Sequence, residues 1–336
     1  MRLTRGRARG RFAAGAVALA LAAAPLTACG DAGGTGGTRG VKGGNLRLMA
    51  PAAPGGGWDQ TARVAGKALE SVGGNRRAEV FNVPGAGGTI GLAQLARAKG
   101  DERMLMVMGL VMVGAIEQNR SKVNLTQVTP VARLTEEYEI VVVPADSPFR
   151  TLADMVKAWK ADPAKVPIAG GSAGGTDQIL AGLMAQAAGA DPKKVNYIAH
   201  SGGGEALSAL LGGKVSAGIS GVSEFAEHVR SGKLRALAVS SPRRVPGLDV
   251  PTIKEAGLDV ELSNWRGVVA PPGLSENARK AHTDLLTKMH GSAAWKEALA
   301  KNGWTDAFQA GPQFGTFLAA EQTRVQGILA RMGIGS

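Results

Sequence analysis

Short apolar runs alternate with stretches of helical period along most of the chain, and glycine-rich turns stand where a run ends and a helix begins. Strand-like runs are Leu46–Ala50, Glu79–Val83, Met104–Met108, Ile140–Val143, Val166–Ala169, Val195–Ile198, Val215–Ile219, Leu234–Ser240 and Gly267–Ala270. Helical patterns fill the gaps, among them Thr61–Val72, Ile90–Lys99, Leu152–Lys160, Gln178–Ala188, Glu205–Leu211 and Ser223–Ser231. Near-continuous apolar strands joined by helices predict an α/β fold with parallel sheets covered on both faces. Thr151 and Asp154 predict a capping box at one helix start. The C-terminal third turns mostly helical, with Phe314, Phe317, Leu318, Val325, Ile328, Leu329 and Met332 on one stripe that reads as core.

With 336 residues the chain has room for about two domains of ~150 residues. Two proline-marked joints, Val141–Pro148 and Ala238–Pro242, bracket a segment the size of one small α/β domain. A lobe inserted between two chain crossings suits a hinged, ligand-binding clamshell. The expected division is lobe 1 from residues 45–143 and 240–336, and lobe 2 from 144–239.

The first residues read as an address. Arg2, Arg5, Arg7, Arg9 and Arg11 precede the apolar run Phe12–Pro25, whose 14 residues fall short of the ~20 a membrane-spanning helix needs. Residues 1–28 are therefore expected to be a secretory signal. Leu26-Thr27-Ala28-Cys29 resembles the lipobox of bacterial lipoproteins, which makes Cys29, the one cysteine, the expected lipid anchor. A glycine-rich tether covers 29–44, with 8 Gly among the 15 residues from Gly30 to Gly44. The protein is expected to be exported and to hang from the extracytoplasmic face of a membrane.

Composition removes several function classes. A formal net charge of +12 suggests nucleic acid, but the leader carries five of the arginines. The remaining 34 Lys+Arg and 27 Asp+Glu are dispersed along the chain, so no nucleic-acid partner is expected. Fourteen aromatic residues are too few for a sugar platform or base-stacking surface. One Cys and four His exclude a multi-thiolate centre and leave little for a histidine cage. Neither a dinucleotide fingerprint nor a Walker lysine follows a glycine loop. No cofactor or metal is expected.

Four glycine loops carry the site hypothesis: Pro54–Asp59, Pro84–Thr89, Gly170–Asp177 and His200–Gly204. Helix N-termini present unpaired N–H groups and a positive dipole end, and in open α/β sheets ligands lie beyond the carboxyl ends of the strands. Several such ends facing one another would hold a molecule with several carboxylates. Gly170-Gly171-Ser172-Ala173-Gly174 also fits a G-x-S-x-G nucleophile elbow, which makes a serine esterase with Asp249 or Asp259 and His282 the alternative. Against it, His282 falls within a helical pattern, and the His200 glycine stretch follows the serine rather than preceding it. Glu224 and His228, spaced i, i+4, read as an exposed helix pair.

At these loops the chain resembles the solute-binding proteins of tripartite tricarboxylate transporters. The resemblance lies in Ala53–Arg63, Asn82–Gly91, Gly171–Asp177, Gly212–Val215, Ser231–Val239, Val250–Glu255 and Trp265–Gly273, and spans nearly all of Asn45–Ser336. It implies a two-lobed periplasmic-binding-protein fold, a type II-like clamshell with hinge crossings, that is not an enzyme. Its ligand is a small organic acid such as citrate or a related carboxylate, and its partners are two membrane subunits of the transporter. It implies ligand contacts at Gly56, Gly57, Trp58, Asp59, Gly87, Gly88, Thr89, Ser172, Gly175, Thr176, Asp177 and Ser201. Asp59 and Asp177 are the odd members beside an anion; helix capping, bound water or a ligand hydroxyl or amine would accommodate them. Gln178 and His200 depart from the residues many relatives carry, and either is expected to alter ligand choice.

Overall fold

The structure is a computed structural model that describes residues 44–74 and 77–335. The signal, Cys29 and most of the glycine tether lie outside the described residues. The described residues form ten strands: β1 (Leu46–Ala50), β2 (Ala78–Asn82), β3 (Met104–Gly109), β4 (Thr129–Pro144), β5 (Ile168–Gly170), β6 (Tyr197–Ala199), β7 (Ala217–Gly221), β8 (Leu234–Val239), β9 (Ser263–Ala270) and β10 (Thr305–Ala310). Between them run α1 (Gly57–Val72), α2 (Thr89–Arg97), α3 (Leu110–Gln118), α4 (Leu152–Ala161), α5 (Thr176–Ala187), α6 (Gly203–Leu211) and α7 (Val222–Arg230). The C-terminal helices are α8 (Glu276–His290), α9 (Ala293–Asn302) and α10 (Pro312–Arg331).

The strands pair in the order β2-β1-β3-β9-β4-β7-β5-β6, with β8 and β10 also on β4. Parallel pairing holds for β1 with β2 and β3, and for β5 with β6 and β7. The expectation of parallel sheets fails at the centre, where β4 runs antiparallel to β7, β8, β9 and β10. The cause is β4 itself, 16 residues long and read from sequence only as Ile140–Val143. Its first part, residues 129–138, carries Arg133, Glu136 and Glu137 among its apolar residues and so lacks the unbroken run that marks a buried strand. The half-polar β10 and α3, apolar from Leu110 to Ile116, were unread for related reasons.

β4 joins two sheet halves. Thr129–Tyr138 pair with β9 and, through Ala132–Glu136, with β10, whereas Glu139–Pro144 lie against β7 and β8. Alternation along the strand sends Val141 and Val143 into the main apolar core and Ile140 and Val142 into a second core with Leu210, Phe225 and Val239. The second chain crossing meets β4 at the changeover: Ser240 N–H donates to Glu139 O at 2.9 Å. Arg235 secures the exit from β4 by donating to the carbonyls of Ala145, Ser147 and Phe149.

The helices follow their sequence signals. Thr151 Oγ1 accepts the Asp154 N–H at 3.2 Å while Asp154 Oδ2 accepts the Thr151 N–H at 2.9 Å, the reciprocal capping box expected there. α10 buries Phe314, Leu318, Val325, Ile328 and Leu329 and packs across both α3 and α5.

Candidate functional site

One cavity of about 460 Å³ collects the glycine loops. Its wall includes Gly57, Trp58, Gly87, Gly88, Ser172, Gly175, Thr176, Asp177 and Ser201, so nine of the twelve expected contacts share one space. This volume suits a small metabolite.

The helix starts explain the loops. α1, α2, α5, α6 and α7 begin at this cavity with glycine at the N-cap (Gly56, Gly88, Gly175, Gly202 and Gly221), and none has a side-chain cap. Of the other helices, α4, α8 and α9 are capped by Thr151, Ser275 and Ser292, while α3 and α10 start at Gly109 and Gly311, also without a side-chain cap. Five helix starts therefore leave N–H donors unsatisfied by side chains around one cavity, where an anion can take them. At Gly57 a Cβ would lie 2.9 Å from Arg266 Nη2, so a side chain there would press on the guanidinium that pairs with Glu137. Gly88 holds φ +88° and leaves room for the Trp58 ring. Trp58 is buried and forms a wall of the cavity.

Three expected contacts point elsewhere. Gly56 is not among the lining residues, and its N–H donates to Ala53 O at 3.2 Å. The buried Asp59 carboxylate accepts Gly55 N–H at 2.8 Å, Arg63 Nε–H at 2.9 Å and Asn82 Nδ2–H at 2.8 Å. Burial pushes its pKa up, but these donors outweigh burial and hold it below the ordinary value. Asp59 thus closes its own loop and holds β2. Thr89 donates its hydroxyl to Ala86 O at 2.9 Å and fastens the turn ahead of α2. Gln178 and His200 also serve loop backbone: Gln178 Oε1 accepts Gly174 N–H at 2.7 Å, and the His200 ring lies 3.3 Å from Gly170 O. Neither lines the cavity, so the expected influence on ligand choice has no direct contact behind it.

The esterase constellation is not assembled. Ser172 faces the cavity, whereas His282 is buried within α8 and absent from the lining. Asp249 and Asp259 are almost fully exposed and pair with Arg244 and Lys254.

The sequence reading missed the floor of the site. Glu137, Glu139, Ser220, Glu224, Asn264 and Arg266 line the cavity as well. Glu137 and Glu139, two apart on β4, project to one face. Arg266 Nη2 pairs with Glu137 Oε2 at 3.3 Å, donates through Nη1 to Thr61 Oγ1 at 3.2 Å, and lies 5.3 Å from the Trp304 ring centre. Asp177 Oδ2 accepts the Gly171 N–H at 2.6 Å, and Ser220 hydrogen-bonds Glu224. Glu224 is exposed as expected, but into the cavity and bonded to Ser220 instead of facing bulk solvent beside His228. Burial, followed by the charges of Asp177, Glu137 and Glu224, holds Glu139 well above the ordinary carboxylate range. Burial likewise raises Asp177 to about 7, against the pull of Gly171 N–H; part of its surface stays open to the cavity, so solvent moderates the effect. Tyr197, whose hydroxyl donates to Gly171 O at 2.8 Å, is raised by burial and by these two acids. Among the described residues no group of three or more His, Cys, Asp or Glu side chains is arranged to hold a metal ion.

Comparison with known proteins gives the same picture from outside. Residues 64–334 match the family model described as the tripartite tricarboxylate transporter family receptor. Protein BugT of Bordetella pertussis is 30% identical over 298 residues, covering 86% of this chain and 89% of BugT. Among solved structures, a TctC solute-binding protein from Polaromonas without ligand superposes with a TM-score of 0.68 at 26% identity, covering 86% of this chain and 99% of that one. MatC of Rhodopseudomonas palustris with bound malate gives a TM-score of 0.73 at 24% identity, covering 85% and 98%. The periplasmic-binding-protein architecture is thus the fold of this chain.

Proposed function

Because the chain belongs to the tripartite tricarboxylate transporter receptor family, we propose that it is an exported, lipid-anchored solute receptor that binds a small carboxylate in this cavity and delivers it to two membrane subunits. The observation that carries the carboxylate reading is the set of five helix starts without side-chain caps around one cavity. Backbone N–H groups and the hydroxyls of Ser172, Thr176 and Ser201 take the carboxylate oxygens; Gly57, Gly87, Gly88 and Gly175 let the ligand approach the main chain. Malate bound to MatC, a protein of the same fold, supports a small dicarboxylate or tricarboxylate as the ligand.

The two lobes of this reading are residues 45–143 with 240–336, and 144–239. They close about the crossings at β4 and Ser240, burying the ligand between α1 and α2 on one side and α5 to α7 on the other. Attachment falls to Cys29, the one cysteine, which ends the lipobox-like stretch Leu26-Thr27-Ala28-Cys29 after the apolar run. The chemistry is binding without turnover.

A thermal-shift screen against citrate, malate, adipate, other di- and tricarboxylates and p-nitrophenyl esters tests the reading. Binding to the folded state alone stabilises by about 2.7 kcal/mol at a hundredfold excess over Kd. A rise in melting temperature with at least one acid and no ester cleavage is expected. No shift with any acid, or ester cleavage lost in Ser172→Ala, overturns it.

A further inference from the structure

A second cavity, of about 620 Å³, shares Glu137 and Ser223 with the one formed by the glycine loops and otherwise has a lining of its own. One wall is α7, where Val222, Ala226 and Arg230 recur every fourth residue and so project to one face. Facing it are the segment 241–246, which follows the second chain crossing, and the end of α9 with Lys301.

The charges here are unbalanced. Four cations line the cavity: Arg230, Arg243, Arg244 and Lys301. Arg244 is neutralised by Glu255 at 2.9 Å and Asp249 at 3.6 Å. Among the described residues the other three pair with no carboxylate, and Arg230 donates to Gly247 O at 3.5 Å. Of the two acids in the lining, Glu137 is taken by Arg266 at 3.3 Å, which leaves Glu227. Three cations therefore face one free acid. By contrast the exposed Lys254 has both Asp259 and Glu261 as partners.

Arg243 stands on a fixed loop. The buried Ser241 donates its hydroxyl to Arg243 O at 2.6 Å, and Pro242 and Pro246 restrict the backbone at each end. Val222 and Val245 pack against the second core with part of each still exposed, and with Ala226 they give the cavity apolar walls. An inorganic anion would leave those walls in water, and an uncharged molecule would leave the cations without a partner. An organic anion with an apolar body satisfies both.

We propose that this cavity is a second ligand site, for an organic anion whose head lies on Arg243 and Lys301 and whose apolar body lies against Val222, Ala226 and Val245. The site itself goes beyond the carboxylate-receptor reading and does not depend on it. Its effect on the first cavity rests on that reading: α7 belongs to one lobe, and α9 with the segment 241–246 to the other. An occupant that bridges them favours one spacing of the lobes and so changes the affinity of the glycine-loop cavity.

Calorimetric titration of the full-length protein with octanoate, 4-phenylbutyrate, octan-1-ol and inorganic phosphate tests the assignment. At least one of the two organic anions is expected to bind at one site per chain. It should bind about tenfold or more tightly than octan-1-ol and phosphate, as one charge-assisted hydrogen bond implies. Arg243→Glu and Lys301→Glu, both at exposed positions, are expected to weaken it by a similar factor with an unchanged melting transition. Ser172→Ala is expected to leave it within about twofold. Malate and citrate, titrated with and without that anion at saturation, are expected to change in affinity by about fivefold or more. Binding that Ser172→Ala abolishes and Arg243→Glu spares puts the anion in the first cavity and overturns the second site. Equal binding of octan-1-ol or of phosphate overturns the organic-anion chemistry, and no binding by either organic anion overturns the proposal outright. An unchanged affinity for malate and citrate overturns the bridging of the lobes. Absence of malate and citrate binding counts against the carboxylate reading alone, because the variants still decide the site.

Discussion

Ser240 holds Glu139 from both sides of the peptide: its N–H donates to Glu139 O at 2.9 Å, and its Oγ accepts the Glu139 N–H at 2.9 Å. The same hydroxyl donates to Leu262 O at 2.6 Å. The residue that marks the second chain crossing is therefore bonded to the one whose carboxyl forms the cavity floor.

Replacing Ser240 by Ala leaves the Glu139 N–H and Leu262 O without this partner in a fully buried setting. The expected cost is about 2–3 kcal/mol, one buried polar group being worth roughly 1–3 kcal/mol. Urea unfolding of Ser240→Ala checks it, and an unchanged midpoint would show that water or backbone shift replaces the hydroxyl.

Arg266 and Glu137 form an ion pair with both side chains only 7% exposed. Removing one partner strands the other, so Arg266→Ala is expected to cost about 3–5 kcal/mol. Arg266→Met combined with Glu137→Gln removes both charges and is expected to recover much of that loss. The comparison is made by denaturant unfolding, and equal destabilisation of single and double variants would contradict the pairing.

The acids of the cavity set a pH dependence of the ligand-free fold. Asp177 and Glu139 have pKa values raised above their unfolded range. Such groups favour the fold when protonated, so their contribution is full below about pH 4 and is lost as pH rises through about 7 for Asp177. Asp59, Asp154 and Glu255 are depressed and act in the opposite sense, below the ordinary carboxylate range. Between pH 5 and pH 8 the melting temperature is therefore expected to fall, and Asp177→Asn to flatten that slope. A melting temperature that rises over this interval and is unaffected by the substitution would contradict the assignment.

Ser172 and Thr89 separate binding from folding. Ser172→Ala is expected to weaken carboxylate binding by roughly 1–3 kcal/mol, the worth of one hydrogen bond to a charged group, with a small effect on melting. Thr89→Val removes the hydroxyl that fastens Ala86, so it is expected to lower stability by about 1 kcal/mol and to leave the lining unchanged. Titration and melting of both variants distinguish the two roles.

The glycine loops were readable because strand-to-helix turns with glycine, proline and hydroxyl residues are local features, fixed by a few neighbouring positions. They placed Gly57, Trp58, Gly87, Gly88, Ser172, Gly175, Thr176, Asp177 and Ser201 around one cavity without the structure. Asp59 and Thr89 sit in the same loops, yet their side chains face backward; direction within a turn depends on partners such as Asn82, which lies in another element. The acidic floor was hidden for a different reason. Glu137 and Glu139 lie in a strand, Glu224 on a helix and Arg266 on a strand far along the chain, so only the meeting of β4, α7 and β9 makes them one group. Of the central antiparallel β4 only Ile140–Val143 was read, because its first part is broken by charged residues that face the cavity and the Phe317 side.

A crystal structure of the protein with the tightest-binding acid from the screen tests the account most directly. The account places the ligand between the Gly57 and Gly88 loops and the Ser172–Asp177 loop, with at least two backbone N–H groups within hydrogen-bond distance of a carboxylate. Ligand density outside this cavity, or a carboxylate held without those N–H donors, would contradict it.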